Sequence, residues 1–215
     1  MNPTIAVVNA TPASMQPAAD GLGEGFPEAR AWHLLDDRLV TEADAAGGMT
    51  PALTRRMLAL IDHAVRGGAD AVLLSCSMYG PAAALARRLH EVPVTGSDEA
   101  MFAEVTRRRP GTVLVLGSLG AAAADSARRL KELAGGVEVR AIAAPGAAAA
   151  AGAGDWPDLT DALARAAAPG LDGVELVLLG QYSISPVRAE LADRLGLPVL
   201  SPPLAAARAL REALA

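Results

Sequence analysis

The only cysteine of the chain, Cys76, stands in a segment that is repeated in the second half with a glutamine in its place. Val72–Pro81 aligns without a gap with Val177–Pro186, and this alignment pairs Cys76 with Gln181. A thiolate can act as a nucleophile or as an acid/base group, whereas a side-chain amide neither gives nor takes a proton near neutral pH. The pattern predicts one reactive side chain instead of a symmetrical pair. The alternative is a structural cysteine packed as a small apolar group.

Each copy of this segment predicts a buried strand, then a turn that carries hydroxyls and one special side chain, then a proline at the start of a helix. Similar leading strands precede the copies, at Thr4–Ala10 and Thr112–Ser118, so we predict an internal duplication over nearly the whole chain. A turn directly before a helix places Cys76 near backbone N–H groups and the positive end of a helix dipole. Both stabilise the thiolate.

Short apolar runs rich in Val and Leu, without alternation, are typical of strands covered on both faces in a parallel sheet. We predict such strands at residues 4–8, 32–35, 71–74, 92–95, 113–116, 137–142, 176–179 and 199–200. Between them lie helix-sized segments, and Thr50 followed by Pro51 has the clearest capping signal. The predicted helices are at residues 51–66, 81–90, 99–109, 121–134, 159–167, 186–195 and 204–214.

This alternation predicts an α/β fold of two pseudo-symmetric, doubly wound lobes, each with a short parallel four-stranded sheet flanked by helices. The first lobe is predicted at residues 1–97 plus 201–215 and carries Cys76, and the second at residues 98–200 carries Gln181. Ligands of open sheets bind outside the carboxyl ends of the strands, at the point where strand order reverses. We therefore expect the site in the cleft between the lobes.

Three features resemble the aspartate/glutamate/hydantoin racemase superfamily, which also contains maleate isomerases and arylmalonate decarboxylases. They are Leu74–Met78, the paired Leu179–Ser183, and the glycine- or hydroxyl-bearing turns after the leading strands. The resemblance spans essentially the full length and implies a cofactor-independent, dimeric enzyme acting on a small carboxylate. Racemases of this kind place a cysteine at both strand ends, one thiolate removing the proton alpha to a carboxylate and the other thiol returning one. Here Gln181 takes the second position, so the resemblance implies Cys76 as the single acid/base.

One acid/base group suits proton transfer on a single face of the substrate. We expect an enzyme of the isomerase/racemase class, with one-face decarboxylation, isomerisation or elimination as its chemistry. Arylmalonate decarboxylases also use one cysteine, but in the second-half position, so this chain would be the mirror arrangement. An amino-acid racemase would need another group, such as Tyr182, in the second role. The alternative is a non-catalytic small-carboxylate-binding protein on the same fold.

The anion that such reactions form must meet fixed hydrogen-bond donors. The candidate substrate-binding residues follow predicted strands, and they are Asn9, Thr11, Ser77, Met78, Ser118, Gln181, Tyr182 and Ser183. For any single hydroxyl, a helix cap or a turn hydrogen bond is an equal alternative. Asp36 and Asp37 could orient a substrate or lie in a solvated turn. The three histidines are interpreted as surface or packing residues, and His33 is the strongest candidate among them for a role in the site.

Several classes are excluded by composition. A net charge of −5 argues against a nucleic-acid partner. No histidines, cysteines or acidic residues have metal-ligand spacing, and Gly21–Gly25 lacks the strand–helix context of a phosphate loop. The longest apolar run, at residues 141–154, is too short and too rich in Ala and Gly to span a membrane, and residues 141–156 are predicted as a flexible or partly helical excursion. One cysteine and no secretory signal predict a cytoplasmic protein.

Overall fold

The structure is a computed structural model that describes residues 2–215. These residues form eight strands: β1 (Thr4–Asn9), β2 (Arg30–Leu35), β3 (Ala71–Leu74), β4 (Val94–Thr95), β5 (Thr112–Gly117), β6 (Glu138–Ala143), β7 (Leu176–Leu179) and β8 (Val199–Leu200). The α-helices of the same residues are α1 (Met15–Gly25), α2 (Leu39–Ala45), α3 (Pro51–Arg66), α4 (Gly80–Ala86), α5 (Glu99–Arg108), α6 (Gly120–Leu133), α7 (Ala147–Ala153), α8 (Trp156–Ala167), α9 (Arg188–Leu195) and α10 (Pro202–Ala213). Short 3-10 helices lie at Pro12–Ser14, Ser77–Tyr79, Ala168–Gly170 and Tyr182–Val187.

The chain forms two compact units. Unit 1 runs to Ala100 and includes Pro203–Ala215, and unit 2 is Met101–Pro202. Each unit contains one parallel four-stranded sheet, in the order β2-β1-β3-β4 in unit 1 and β6-β5-β7-β8 in unit 2. The predicted α/β class with two such sheets is confirmed. The unit boundaries fall after residues 100 and 202, where the sequence predicted 97 and 200.

The central strands of both sheets are buried on two faces, whereas the edge strands β2 and β6 are mostly exposed or half-buried. The central strands β1 and β3 of unit 1, and β5 and β7 of unit 2, are buried at nearly every position. Helices cover both faces, which explains the continuous apolar runs of these strands. In each unit the core forms between sheet and helices, with Met57 and Ile61 of α3 in unit 1 and Leu159 and Leu163 of α8 in unit 2.

The predicted start of α3 is confirmed, since the Thr50 hydroxyl accepts a hydrogen bond from the N–H of Leu53 at 3.2 Å. Other helix bounds differ from the prediction. α4 ends at Ala86 instead of residue 90, and Pro186 lies inside a 3-10 helix instead of opening α9. A tight 3-10 turn thus separates each special side chain from the α-helix that follows it.

α1 is a helix that the sequence did not predict, because three glycines lower its propensity. Gly21 and Gly25 lie one turn apart on the face that contacts α10. A Cβ on Gly21 would come within 2.6 Å of Cβ of Pro203, and one on Gly25 within 2.9 Å of Cβ of Ala207. The glycine-rich stretch is therefore a helix-packing surface.

The Ala-rich segment at residues 141–156 is partly helical, which was one of the two predicted alternatives. It completes β6 and then forms α7, which begins after Gly146 and ends at Gly154, both with positive φ. Ala147 and Ala150 are buried in the core of unit 2. Small side chains let this short helix pack closely against its neighbours, so low complexity here reflects tight packing. Within residues 2–215, no helix is long and apolar enough to cross a membrane.

Candidate active site

The carboxyl ends of β1 and β3 form the switch point of unit 1, since the strand order runs from β2 through β1 to β3. Val8 pairs with Leu74 in this parallel register, so the residues that follow the two strands lie side by side. Asn9 ends β1, and Ser75 and Cys76 follow β3. The structure thus places the only cysteine of the chain where open α/β sheets bind their ligands.

Cys76 is partly exposed and packs against the core of unit 1. Its backbone is extended, and its carbonyl accepts a hydrogen bond from the N–H of Tyr79 at 3.2 Å, which closes the 3-10 turn Ser77–Tyr79. Ser77 and Met78 of this turn are also half-buried. The thiol is therefore attached to a constrained turn and retains access to solvent.

Tyr79 is fully buried, and its hydroxyl donates a hydrogen bond to the carbonyl of Leu39 in α2 at 3.0 Å. Burial first, and the nearby charge of Cys76 second, raise the pKa of Tyr79 to about 12. Tyr79 stays protonated at neutral pH, so it is a donor that ties the turn to α2.

Asn9 is fully buried and lies at the centre of a polar cluster. Its Oδ1 lies 2.9 Å from Oγ of Ser75 and 3.0 Å from Oγ of Ser14. Its Nδ2 lies 3.2 Å from Nδ1 of His33 on β2. Thr11, half-buried beyond β1, accepts a hydrogen bond from Oγ of Ser14 through its carbonyl at 2.9 Å. Of the predicted residues in unit 1, Asn9 therefore lies in direct contact with the residue that precedes Cys76.

In unit 2 the equivalent turn contains Gln181. Its Oε1 accepts two hydrogen bonds from Ser118, one from the backbone N–H at 2.8 Å and one from Oγ at 2.9 Å. Because a backbone N–H can only donate, Oε1 must face Ser118, and Nε2 points the other way. Tyr182 is buried and Ser183 is half-buried in the 3-10 helix that follows. The structure thus brings together two of the candidate substrate-binding residues, Ser118 and Gln181.

Two polar groups near the site have structural partners. Asp36 receives Nε and Nη2 of Arg56, and Glu42 receives Nη1 of the same guanidinium. Neither of the two interpretations of Asp36 anticipated this ion pair, which ties α3 to the segment after β2. Among residues 2–215, no three His, Cys, Asp or Glu side chains are placed to hold a metal ion.

Sequence reasoning missed Ser14, and it noted Ser75 only as a neighbour of the cysteine. Ser14 follows β1 by five residues and lies 61 positions from Ser75, yet their hydroxyl oxygens are 2.9 Å apart. No local pattern marks such a pair. The end of β1 was the one available signal, since residues after neighbouring parallel strands converge.

Comparison with known families agrees with this geometry. Residues 3–210 match the family model of Asp/Glu/Hydantoin racemase. The chain belongs to the Asp/Glu/Hydantoin racemase family. It is therefore an enzyme of the racemase and isomerase superfamily. A search of the curated proteins found no match.

Solved structures share the fold of this family member. A glutamate racemase from Bacillus anthracis is 17% identical with a TM-score of 0.72, and the match covers 99% of this chain and 81% of that chain. An allantoin racemase from Klebsiella pneumoniae is 19% identical with a TM-score of 0.72, covering 98% and 86%. An arylmalonate decarboxylase is 19% identical with a TM-score of 0.69, covering 99% and 92%. At these identities the similarity is one of fold, and function must come from the site.

Proposed function

We propose that this racemase-family enzyme performs cofactor-independent acid/base chemistry on the carbon alpha to a carboxylate, with Cys76 as its single acid/base group. The observation that carries the proposal is the contrast between two equivalent positions. Cys76 follows β3 at the switch point of unit 1, while Gln181 follows β7 at the switch point of unit 2. One position bears a group that titrates, and the other bears an amide.

The proton steps follow from this assignment. In a proton abstraction, Sγ of the Cys76 thiolate takes the α-proton, and the electron pair of the C–H bond remains in the enolate. In a decarboxylation, the bond between the α-carbon and a carboxylate breaks, carbon dioxide leaves, and the electron pair of that C–C bond forms the enolate. The Cys76 thiol then donates its proton to the α-carbon, and solvent reprotonates the thiolate. Because one group delivers the proton, we expect one configuration in the product.

Gln181 supports this proposal as a hydrogen-bond donor for the anion. Ser118 occupies Oε1 with two donors, so the Nε2 group presents its two hydrogens away from Ser118. A neutral donor held in a fixed direction stabilises a carboxylate or enolate oxygen without taking part in proton transfer. This role requires no titration of the second position, which fits an amide there.

We also propose that the enzyme is a cytoplasmic homodimer. The support is the family resemblance for the dimer and a single cysteine, which cannot form an internal disulfide, for a reducing compartment. Light scattering after size exclusion measures the oligomeric state directly, and a monomer at micromolar concentration would contradict the dimer.

The test uses proton exchange, which can be followed on a substrate whose product has not been identified. The enzyme is incubated in heavy water with malonates, 2-substituted carboxylic acids, amino acids and hydantoins, and NMR follows deuterium entry or loss of carbon dioxide. We expect turnover of at least one class by the wild type and none by Cys76→Ala or Cys76→Ser. Chiral analysis of the product distinguishes one-face protonation from racemisation.

Thr112→Val is the matched control, because it removes a buried hydroxyl at the amino end of β5, opposite the carboxyl ends of the strands that carry the proposed site. It should retain the wild-type rate. A second outcome would favour a non-catalytic carboxylate-binding protein: a carboxylate protects Cys76 from alkylation, yet no compound exchanges its α-proton. Turnover that survives in Cys76→Ala would refute the assignment of the acid/base group.

A further inference from the structure

The buried polar cluster at the end of β1 includes Ser75, the residue that directly precedes Cys76. Asn9, Ser14 and Ser75 are 0%, 6% and 5% exposed. Oδ1 of Asn9 and the two hydroxyl oxygens lie 2.9 to 3.0 Å from one another. Buried polar groups cost free energy unless they are hydrogen-bonded, and this cluster satisfies them mutually. We call these three residues the Asn9 cluster.

The orientation of the Asn9 amide follows from its other neighbours. Nδ2 donates to the carbonyl of Val7 at 2.9 Å and to the carbonyl of Leu34 at 3.2 Å. Carbonyl oxygens can only accept, so Nδ2 must face them and Oδ1 must face the two serines. The two hydrogens of Nδ2 are directed to these two carbonyls, and Nδ1 of His33 lies 3.2 Å from the same nitrogen. The side chain of Asn9 is fully engaged within unit 1.

Unit 2 lacks the cluster at the same places. Leu116 pairs with Leu179 as Val8 pairs with Leu74, so Gly117 and Gly180 are equivalent to Asn9 and Ser75. The backbone bonds are equivalent too: the N–H of Ser75 donates to Val8, and that of Gly180 donates to Leu116. A Cβ on Gly117 would lie 2.9 Å from Cβ of Ala123, so an asparagine at position 117 would clash with α6.

We infer that Asn9 is a positioning residue that fixes Cys76 by holding the hydroxyl of Ser75, the residue joined directly to it. Two observations carry this inference. The Asn9 cluster joins the ends of β1 and β3, and it includes the residue before Cys76, whereas the equivalent positions of unit 2, near Gln181, are glycines. The inference rests on the proposed function, because it assigns the cluster to the residue that performs the chemistry. Asn9 acts through Ser75, without contact to substrate.

The experiment measures the reactivity of Cys76, which needs no substrate. Cys76 is the only cysteine, so intact mass after iodoacetamide treatment reports on it alone. Rates are recorded from about pH 6 to about pH 9.5, around the ordinary thiol value of about 8.5. The variants are Ser75→Ala and Asn9→Ala, with Ser126→Ala as a control that removes the hydroxyl of another buried serine. Circular dichroism verifies that each variant is folded.

We expect the pH profile of both cluster variants to move upward by about half a unit, with a rate at pH 7 lower by about threefold, because a loosened turn stabilises the thiolate less well. Ser126→Ala should retain the wild-type profile. The inference is overturned if the cluster variants match the wild type, or if Ser126→Ala moves as far as they do. If Asn9→Ala does not fold, Ser75→Ala decides the question by the same measure.

Failure of this inference is distinguishable from failure of the proposed function. Proton exchange in heavy water tests the chemistry, and alkylation tests only the position of the thiol. With an exchanging substrate, Ser75→Ala should lower kcat by about 10- to 100-fold with KM changed by less than about threefold, since misplacement of a reacting group affects the chemical step. If kcat/KM fell by the same factor because KM rose while kcat was unchanged, this result would contradict a positioning role.

Discussion

Two residues at equivalent positions have opposite chemical character, and each is fixed by a different kind of contact. Cys76 follows a buried hydroxyl, whereas Gln181 is oriented by two hydrogen bonds from Ser118. In the proposed function, the first arrangement holds the group that exchanges protons. The second holds an amide whose donors face away from its serine. The proposal thus assigns the acid/base role and the anion-binding role to single side chains.

The role of Gln181 predicts the effect of Gln181→Glu. One carboxylate oxygen of the new side chain still accepts the hydrogen bonds from Ser118, so the fold is retained. The Nε2 donor group, however, is replaced by a negatively charged oxygen. We expect KM for a carboxylate substrate, or the concentration that protects Cys76 from alkylation, to rise about tenfold or more. Gln16→Glu makes the same charge change on the exposed face of α1 and should have no such effect. Unchanged binding by Gln181→Glu would exclude the donor role.

His33 predicts a pH-dependent stability. Burial lowers its pKa below the ordinary value of 6.5, because the charged ring is poorly solvated. The folded state therefore binds fewer protons than the unfolded state in this range, and stability falls as the pH drops from 6.5 through the folded pKa. Urea unfolding of wild type and His33→Gln at several pH values measures this component. A wild-type curve parallel to that of His33→Gln would show that His33 contributes none of it.

At the scale of the secondary-structure elements, short helices stabilise the turns that carry Cys76 and Gln181. α2 accepts the Tyr79 hydroxyl through the carbonyl of Leu39, and α7 packs against the 3-10 helix that follows Gln181. Both helices follow an edge strand of their sheet. The sequence predicted no helix at α2 and only a flexible or partly helical segment at α7, because each helix is seven residues long and such a short helix depends on tertiary contacts.

The contact of α1 with α10 predicts opposite effects for two glycines of one helix. In Gly21→Ala the new Cβ would overlap Pro203, including its backbone carbon at 2.7 Å, so we expect destabilisation of about 1–3 kcal/mol. In Gly23→Ala the new Cβ meets nothing within 4 Å, and we expect stabilisation of about 0.5–1 kcal/mol from helix propensity. Chemical unfolding measures both. Equal effects would contradict the close approach of the helices.

At the scale of the whole molecule, the stability of unit 1 depends on the last residues of the chain, because Pro203–Ala215 belong to this unit. Deleting Pro203–Ala215 removes Leu204 and Leu210, whose burial alone contributes about 3–6 kcal/mol. We expect hydrogen exchange to show its largest loss of protection in α1. Deletion of residues 211–215 is the control, since these residues are mostly exposed and their ion pair with Glu28 contributes little. Unchanged protection of α1 in the longer deletion would refute this dependence.

The sequence by itself determined the parallel sheets and the pairing of Cys76 with Gln181. Continuous apolar runs and an ungapped repeat are local patterns, and they are readable because strand burial depends on the residues of each strand. Helix α1 and the Asn9 cluster were decided only by the tertiary structure. α1 has glycines that oppose a helix, and it is stabilised by residues about 180 positions away. The cluster joins residues up to 66 positions apart, so the hydrogen bonds of Ser75 with Asn9 and Ser14 exist only after β1 and β3 have paired.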